Sequence, residues 1–220
     1  MKIDAAVPPD DATRHQLLEA ASGVFAESGF RDATVREICR RAGANIAAVN
    51  YHFGDKAALY AEVLRHSQQK AVEKYPPMLD VGPEAEPEDK LRAFVLSLLL
   101  RIFDEGPTAC HGKLLAHEMI EPTEALDSLV EERIRPMAEQ LQKIVAEILD
   151  CPLTDERVRP CSLSVVSQCL FYNHCRPVIL RLFPAQSFDA AGIARLADHI
   201  TRFSLAAMQH LPETKTKKSK

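Results

Sequence analysis

Apolar residues recur every three or four positions along most of the chain, which is the spacing of one face of an α-helix. Such stripes predict helices from Thr13 to about Ser28 and from about Glu88 to Asp104. A longer periodic segment from Thr123 to Leu149 contains Pro136, which should kink it because proline lacks the amide hydrogen of the helical ladder. The sequence has no alternating Val/Ile-rich run of the kind that forms strands. The pattern therefore predicts an all-α protein.

A proline-containing acidic segment at about residues 76–87 divides this helical pattern into two parts. We expect residues 13–75 to form one domain and residues 88–211 to form a second domain. Residues 1–12 are polar and are expected to form a mobile N-terminal arm. Residues 212–220 are rich in lysine and low in apolar content, so they are expected to be a disordered basic tail.

Two short helices around a tight turn are predicted between Thr34 and Phe53. Thr34 can cap the start of the first helix, with Glu37 completing a capping box. Gly43 stands where the chain must turn, a position that favours the left-handed conformation, and Asn45 can cap the second helix. This arrangement is typical of a helix-turn-helix, whose second helix lies in the major groove of DNA.

The residues around this turn resemble those of a known family. The run Tyr51-His-Phe-Gly-Asp-Lys56, preceded by Ala42-Gly43, is similar to the DNA-binding signature of the tetracycline-repressor (TetR) family of bacterial regulators. The resemblance covers about residues 13–65. A looser resemblance, carried by Glu118-Met-Ile-Glu-Pro-Thr123 and Ile134-Arg-Pro136, is to the C-terminal domain of one TetR subfamily. The fold implied is an N-terminal helix-turn-helix domain followed by a helical ligand-binding and dimerisation bundle.

The predicted recognition helix carries small and apolar side chains that can approach the edges of bases. By resemblance to the family, the start of this helix approaches base edges, while its end and Lys56 hold phosphate. Ile46 suits contact with thymine methyl groups, and Arg36 on the supporting helix can make a bidentate contact to guanine. The predicted DNA-binding residues are Thr34, Arg36, Asn45, Ile46, Ala47, Ala48, Asn50, Tyr51, His52 and Lys56.

The C-terminal part carries more apolar surface than one bundle should bury. Helices predicted from about Asp155 to Cys175 and from about Phe188 to Gln209 are apolar on more than one side. We therefore expect a helix pair from each of two subunits to form a homodimer. The residues expected at this interface are Leu163, Val166, Leu170, Ile193, Leu196, Ile200 and Phe203.

The resemblance implies a ligand-responsive regulator, usually a repressor in this family, that a small molecule releases from a palindromic DNA operator. The inducer would enter a mostly apolar pocket in the C-terminal bundle and move the fourth helix, Asp55 to about Lys74. The candidate ligand-binding residues are Phe94, Leu98, Ile102, His117, Met119, Phe171 and His174, each of which fits equally well as plain core. No cofactor is predicted.

Composition sets limits on this picture. A chain of 220 residues with 46% apolar content can bury a sizeable core, and a net charge of −4 does not by itself indicate a nucleic-acid binder. The six cysteines show no CxxC spacing, so we expect free thiols in a reducing cytoplasm. Apolar runs are too short to span a bilayer, so a cytoplasmic protein without a membrane partner is expected.

Two other classes of function remain open from the residues. Cys110-His111, Cys169 and His174-Cys175 could converge on zinc, which thiolate and imidazole ligands suit, in a metal- or thiol-dependent helical protein. Alternatively, the bundle could bind a protein partner, as in a helical interaction protein. His117-Glu118 begins like a zinc-protease motif, but the second histidine is missing at the required spacing. We therefore predict no catalytic residue, no metal site and no enzymatic activity.

Overall fold

The structure is a computed structural model that describes residues 9–79, 81–104 and 110–211. Every regular element in these residues is helical, which confirms the predicted all-α class. The elements in chain order are α1 (Pro9–Asp32), α2 (Val35–Ala42), α3 (Ile46–Phe53), α4 (Lys56–Lys74), α5 (Pro87–Phe103), α6 (His111–Ile120), α7 (Ala125–Leu129), a π-helical segment (Val130–Ile134), α8 (Arg135–Ile148), α9 (Val158–His174), α10 (Arg176–Leu182) and α11 (Ala190–Gln209). None of the helices in the described ranges combines the length and hydropathy needed to cross a bilayer.

The predicted arm and tail fall largely outside the described residues, which begin at residue 9 and end at residue 211. The expected arm is nevertheless too long, because residues 9–12 already belong to α1. Pro9 is compatible with this position, since the first turn of a helix does not need the amide hydrogen that proline lacks.

The described chain divides into two compact units. The first contains the residues up to Ala71 and those between Asp104 and Val130, and the second contains Val72–Phe103 and the residues from Glu131 onward. The sequence assigns the stretch around α6 and α7 to the second domain, whereas the structure places it in the first unit. The reason is packing, because Leu114 on α6 is fully buried in the apolar cluster of the first unit.

The first unit is built around an apolar cluster to which α1, α2, α3, α4 and α6 all contribute. Its fully buried members are Leu17, Ala21, Phe25, Ile38, Val49, Leu59, Val63 and Leu114. The rings of Phe25 and Tyr60 pack edge to face at 4.8 Å between centroids. This cluster fixes the two helices of the helix-turn-helix onto α1 and α4.

Helix α1 is interrupted near its end at Gly29, which has φ 72° and ψ 177°. A side chain there would be strained, and its Cβ would lie 3.1 Å from Nδ1 of His117. The Nε2 atom of His117 lies 3.3 Å from the carbonyl oxygen of Ala26, so the imidazole can donate to one of the last carbonyls of the helix. The first helix, predicted to end near Ser28, is thus interrupted at Gly29 but extends to Asp32.

The second unit is a bundle in which α5, α8, α9 and α11 surround one apolar cluster. Leu91, Val95 and Leu99 of α5 are fully buried in it. The long helix predicted from Thr123 to Leu149 is instead α7, the π-helical segment and α8. Pro136 is the second residue of α8, directly after the π-helical segment, so the expected disturbance takes the form of a wider turn before the proline.

Candidate nucleic-acid interface

Two side-chain caps and one glycine determine the shape of the helix-turn-helix. Oγ1 of Thr34 accepts a hydrogen bond from the amide of Glu37 at 3.2 Å, and Oδ1 of Asn45 accepts one from the amide of Ala48 at 2.9 Å. Gly43 ends α2 with φ 65° and ψ 27°, the left-handed conformation predicted for it. Thr34 and Asn45, both predicted to contact DNA, thus use their side chains as caps.

Glu37 does not complete the predicted capping box. Its carboxylate accepts hydrogen bonds from Arg40 at 2.7 and 2.8 Å and from Arg41 at 2.8 Å, and Arg41 also pairs with Glu27 at 2.7 Å. Hydrogen bonds from Arg40 and then Arg41 lower the pKa of Glu37 to about 2. Two charged donors at helical spacing outcompete one backbone amide. Arg40 and Arg41 are therefore held by carboxylates of their own unit.

Helix α3 presents small, polar and apolar side chains to solvent. Ile46 is 50% exposed and Tyr51 is 75% exposed, and Ala47 and Asn50 are exposed between them. On α2, Arg36 is also exposed, and within the described ranges no carboxylate pairs with it. These five side chains form a surface with one guanidinium that can meet the edges of bases and the DNA backbone.

Three further predicted residues are less available. Ala48 and His52 are half-buried. The Nζ atom of Lys56 donates to the carbonyl oxygen of Arg31 at 3.2 Å and lies 4.7 Å from the centre of the Phe30 ring. Burial lowers the pKa of Lys56. Because an ammonium group has three donors, this arrangement orients Lys56 without using its whole capacity to bind phosphate.

A buried carboxyl group joins α6 to α4 within the first unit. Glu118 is 1% exposed and accepts hydrogen bonds from the hydroxyl of Tyr60 at 2.8 Å and from the amide and hydroxyl of Thr123, each at 3.1 Å. Burial, reinforced by the bond to Glu118, raises the pKa of Tyr60. This role was not predicted from the sequence. The sequence feature that could have indicated it is that Glu118 follows the buried Leu114 by four residues and therefore lies on the same face of α6.

A cavity of about 800 Å³ lies in the first unit and includes Tyr60 and Thr123 in its lining. Its charged or titratable lining residues are Arg31, Asp32, Lys56, His117, Glu121 and Glu124. Arg31 and Glu121 are 3.4 Å apart. Basic and acidic groups are thus balanced around this cavity.

The predicted ligand-binding residues of the second unit do not form one site. Phe94 and Ile102 are buried in its apolar cluster, with Leu98 half-buried beside them on α5. Phe171 is 56% exposed and His174 is exposed at the end of α9. The α5 residues are therefore core positions, and the α9 residues lie on the surface of the unit.

His117 and Met119, the other two predicted ligand-binding residues, belong to the first unit. His117 contacts the end of α1 as described above, and Met119 is 47% exposed. Their assignment to a pocket of the C-terminal bundle is corrected, because α6 packs through Leu114 on the core of the first unit.

An arginine on α5 that was not predicted as a site residue is buried in the second unit. Arg101 is 2% exposed, with Nη1 2.7 Å from the sulfur of Met137 and Nε 3.3 Å from the carbonyl oxygen of Ser97. Its Nη2 atom has no hydrogen-bond partner among the described residues. Burial lowers the pKa of Arg101 to about 10. The sequence feature that could have indicated a buried arginine is its position as a single charged residue within the apolar run 98–103.

Four of the predicted dimer residues lie at least partly on the surface of the second unit. Leu163 on α9 and Phe203 on α11 are each 60% exposed, and Val166 and Leu170 are half-buried against the apolar cluster. A groove of about 330 Å³ runs between α9 and α11 and includes Phe203 in its lining. These helices therefore present an apolar surface that a second subunit can cover.

The prediction that three other residues lie at the dimer interface is corrected. Ile193, Leu196 and Ile200 are 5%, 7% and 0% exposed within the unit itself. Their face of α11 packs against α5 in the apolar cluster, so these side chains are part of the subunit core.

The donors considered for a zinc site are distributed over both units. Cys110 and His111 belong to the first unit, whereas Cys169, His174 and Cys175 belong to the second. Burial raises the pKa of the Cys169 thiol to about 12. In the part of the chain that the structure describes, no three His, Cys, Asp or Glu side chains are grouped so that they could hold a metal ion.

Two family models match this chain on either side of the loop before α5. The model described as "Bacterial regulatory proteins, tetR family" matches residues 17–63, and the model of the C-terminal domain of the HTH-type transcriptional dual regulator CecR matches residues 87–208. The chain belongs to the TetR family of bacterial transcriptional regulators. Both resemblances found in the sequence are thereby confirmed, and the protein is a DNA-binding regulator of the TetR type.

Similarity to individual TetR-family proteins extends over most of the chain. It is 28% identical over 188 residues to the dual regulator CecR of Shigella flexneri, covering 81% of this chain and 83% of that protein. It is 27% identical over 213 residues to the repressor NicS of Pseudomonas putida, covering 91% and 93% of the two chains.

Solved structures of TetR-like proteins share the fold. A regulator from Rhodococcus sp. RHA1 superposes with a TM-score of 0.64 at 19% identity, covering 93% of this chain and 99% of that one. AibR, in a complex with isovaleryl coenzyme A and operator DNA, superposes with a TM-score of 0.66 at 15% identity, covering 87% and 97%.

Proposed function

We propose that this TetR-family protein is a homodimeric repressor that a small molecule releases from a palindromic DNA operator. The observation that carries the DNA-binding part is the exposed surface of α3 together with Arg36. NicS is named a repressor, and AibR is described with both an acyl coenzyme A and operator DNA. The related CecR is named a dual regulator, so activation is the alternative sign of regulation.

In the proposed complex, α3 enters the major groove of each operator half-site. Ile46 and Ala47 contact base edges, and Tyr51 directs its hydroxyl to a phosphate. Arg36 reads a guanine through two parallel hydrogen bonds, which its free guanidinium can form. Lys56 adds a phosphate contact from the start of α4. In a dimer, the two copies of α3 would occupy successive major grooves about 34–36 Å apart.

The test of DNA recognition is selection of operator sequences from a random pool, followed by binding assays with Arg36→Ala and Arg40→Ala. Arg36→Ala should weaken binding to the selected operator by roughly 1–3 kcal/mol and relax the preference at one base pair per half-site. Arg40, one turn later on α2, is the matched control because Glu37 already holds it. If both variants selected the same sequence as the wild type, Arg36 would not be a specificity residue.

The homodimer is supported by the exposed apolar surface of α9 and α11. Phe203→Glu should convert dimers into monomers and abolish operator binding, because one half-site alone binds weakly. Ile120→Glu is the control, since Ile120 is 76% exposed but lies in the first unit. Light scattering at micromolar concentration measures the mass. A wild-type monomer, or a Phe203→Glu dimer, would contradict the proposed interface.

A further inference from the structure

Arg101 is a cation in the apolar core of the second unit without a counter-charge from the described residues. Its guanidinium is almost completely shielded from water, and one of its terminal nitrogens has no hydrogen-bond partner there. Removing a charge from water is strongly unfavourable unless an opposite charge and hydrogen bonds replace the solvent. A buried guanidinium without these partners can still bind an anion, because the described residues of its unit do not provide one.

The contacts that Arg101 does make are weak. Nη1 faces the thioether of Met137 at 2.7 Å, and thioether sulfur is a poor hydrogen-bond acceptor. Nε is 3.3 Å from the carbonyl oxygen of Ser97, near the upper limit for such a bond. Four residues before Met137, Arg133 also has a buried Nε without a partner in the described ranges. The second unit thus contains two incompletely hydrogen-bonded guanidinium groups, one on α5 and one in the segment before α8, and no carboxylate of the described residues is seen to pair with either.

The neighbours of Arg101 on its own face of α5 are apolar. Phe94 and Leu98 precede it by seven and three residues on α5, on the same helical face, and Ile102 follows it. Met137 is flexible and unbranched, so it can change rotamer at small expense in free energy. A molecule bound here would meet the hydrocarbon of these α5 side chains and of Met137, and a guanidinium at one end.

We propose that Arg101 binds the acidic group, a carboxylate or a phosphate monoester, of an otherwise apolar small molecule that acts as the effector. The planar guanidinium matches both groups through two parallel hydrogen bonds, and the acid would displace the thioether of Met137 from Nη1. This inference rests on the proposed function, which requires a small-molecule effector, and it names the chemical class of that effector. The cavity of the first unit is a weaker candidate for an anion because its basic groups already face acidic ones.

The first experiment measures thermal unfolding of the full-length protein without added ligand, as wild type, Arg101→Met and Arg92→Met. Methionine keeps the length of the side chain and removes the charge, so Arg101→Met should raise the midpoint temperature by a few degrees. Arg92 is the matched control on α5, because it is exposed and pairs with Asp198 at 2.7 Å. Its replacement should change the midpoint little. Unfolding at a lower temperature, or insoluble Arg101→Met, would show that Arg101 has a structural partner and would overturn the proposal.

The second experiment adds octanoate, octyl phosphate or the neutral octanamide to the same three proteins. At least one of the two acids should raise the midpoint of the wild type and of Arg92→Met, whereas the amide should not. Arg101→Met should bind that acid about 10- to 100-fold more weakly, as expected for loss of a charge-assisted hydrogen-bonded pair. The acid that acts decides between carboxylate and phosphate. No response to either acid, or an equal response of Arg101→Met, would overturn the proposal.

Two further arms separate this inference from its alternatives. Glu105→Gln removes the acid that follows Arg101 by four residues in the sequence, and it should leave the acid response unchanged; a response clearly stronger than that of the wild type would show that Glu105 already serves as the counter-charge of Arg101 and would overturn the proposal. Operator binding is then measured with and without the active acid. Binding of the acid through Arg101 without release of the operator would support the site but contradict the proposed release mechanism. Release by a neutral compound in Arg101→Met would support that mechanism and contradict this site.

Discussion

Among the described residues, each unit buries one side chain of a strongly charged type, and the hydrogen bonding of the two side chains differs sharply. In the first unit, Glu118 accepts hydrogen bonds from Tyr60 and twice from Thr123. In the second unit, Arg101 faces a thioether and a distant carbonyl oxygen, and one of its nitrogens has no partner in the described residues. Burial is nearly identical, at 1% and 2% exposure.

The difference indicates two different roles for a buried polar group. A fully satisfied group such as Glu118 ties helices together, because any rearrangement would leave its donors without an acceptor. A poorly satisfied group such as Arg101 contributes nothing comparable to stability, and the proposed effector would supply the acceptor that it lacks. The same contrast applies to Thr201, whose buried Oγ1 also lacks a partner in the described part of the second unit. Mutations in the two units should therefore shift stability in opposite directions.

The largest effect is expected for Glu118→Leu. Leucine keeps most of the volume but leaves the hydroxyl of Tyr60 buried without an acceptor, so the free energy of unfolding should fall by about 3 kcal/mol. Urea denaturation followed by circular dichroism gives this value. Glu121→Leu is the control, since the side chain of Glu121 is 58% exposed, and it should change stability by less than about 0.5 kcal/mol. If the two substitutions lowered the free energy of unfolding equally, the hydrogen bonds of Glu118 would not be the source of its stabilising effect, and the contrast with Arg101 would not hold.

A smaller effect of opposite sign is expected for Thr201→Val in the second unit. Valine has the same shape and lacks the unpartnered hydroxyl, so stability should rise by up to about 1 kcal/mol. The control is Ser204→Ala, three residues later on α11, where the hydroxyl accepts a hydrogen bond from Gln168 at 3.2 Å. That substitution should be mildly destabilising. A clear loss of stability in Thr201→Val would show that its hydroxyl is satisfied in solution.

The smallest effect concerns the exposed ion pairs of α2 and has a defined pH dependence. The folded-state pKa of Glu37 is lowered from 4.5 to about 2, so its contribution is present above pH 4.5 and is lost as the pH falls toward 2. Glu37→Gln should therefore be slightly less stable than the wild type at pH 7, and the gap should narrow between pH 4.5 and the lowest pH at which the protein remains folded. Urea denaturation across this range measures the gap. A gap that stayed constant with pH would assign the loss to packing.

Several features of the first unit were determined by the sequence alone, because they depend on neighbouring residues. Thr34, Gly43 and Asn45 fix the ends of α2 and α3 through contacts within three or four residues, and their roles follow from their side-chain chemistry. The exposure of Ile46 and Tyr51 follows from the helical period once the ends are fixed. The predicted capping role of Glu37 was wrong even at this range, because two arginines compete for its carboxylate.

What only the tertiary structure decided involves residues far apart in the chain. Periodicity predicted the helix that became α11 and described it as apolar on more than one side, but it could not tell which partner its apolar faces would meet. His117 and Ile200 were assigned to a ligand pocket and a dimer surface, whereas they lie at the end of α1 and in the core beside α5. The hydrogen bond from Tyr60 to Glu118 and the poor satisfaction of Arg101 are likewise set by packing between distant parts of the chain. A sequence specifies which side chains avoid water, but the folded chain determines which buried groups find a partner.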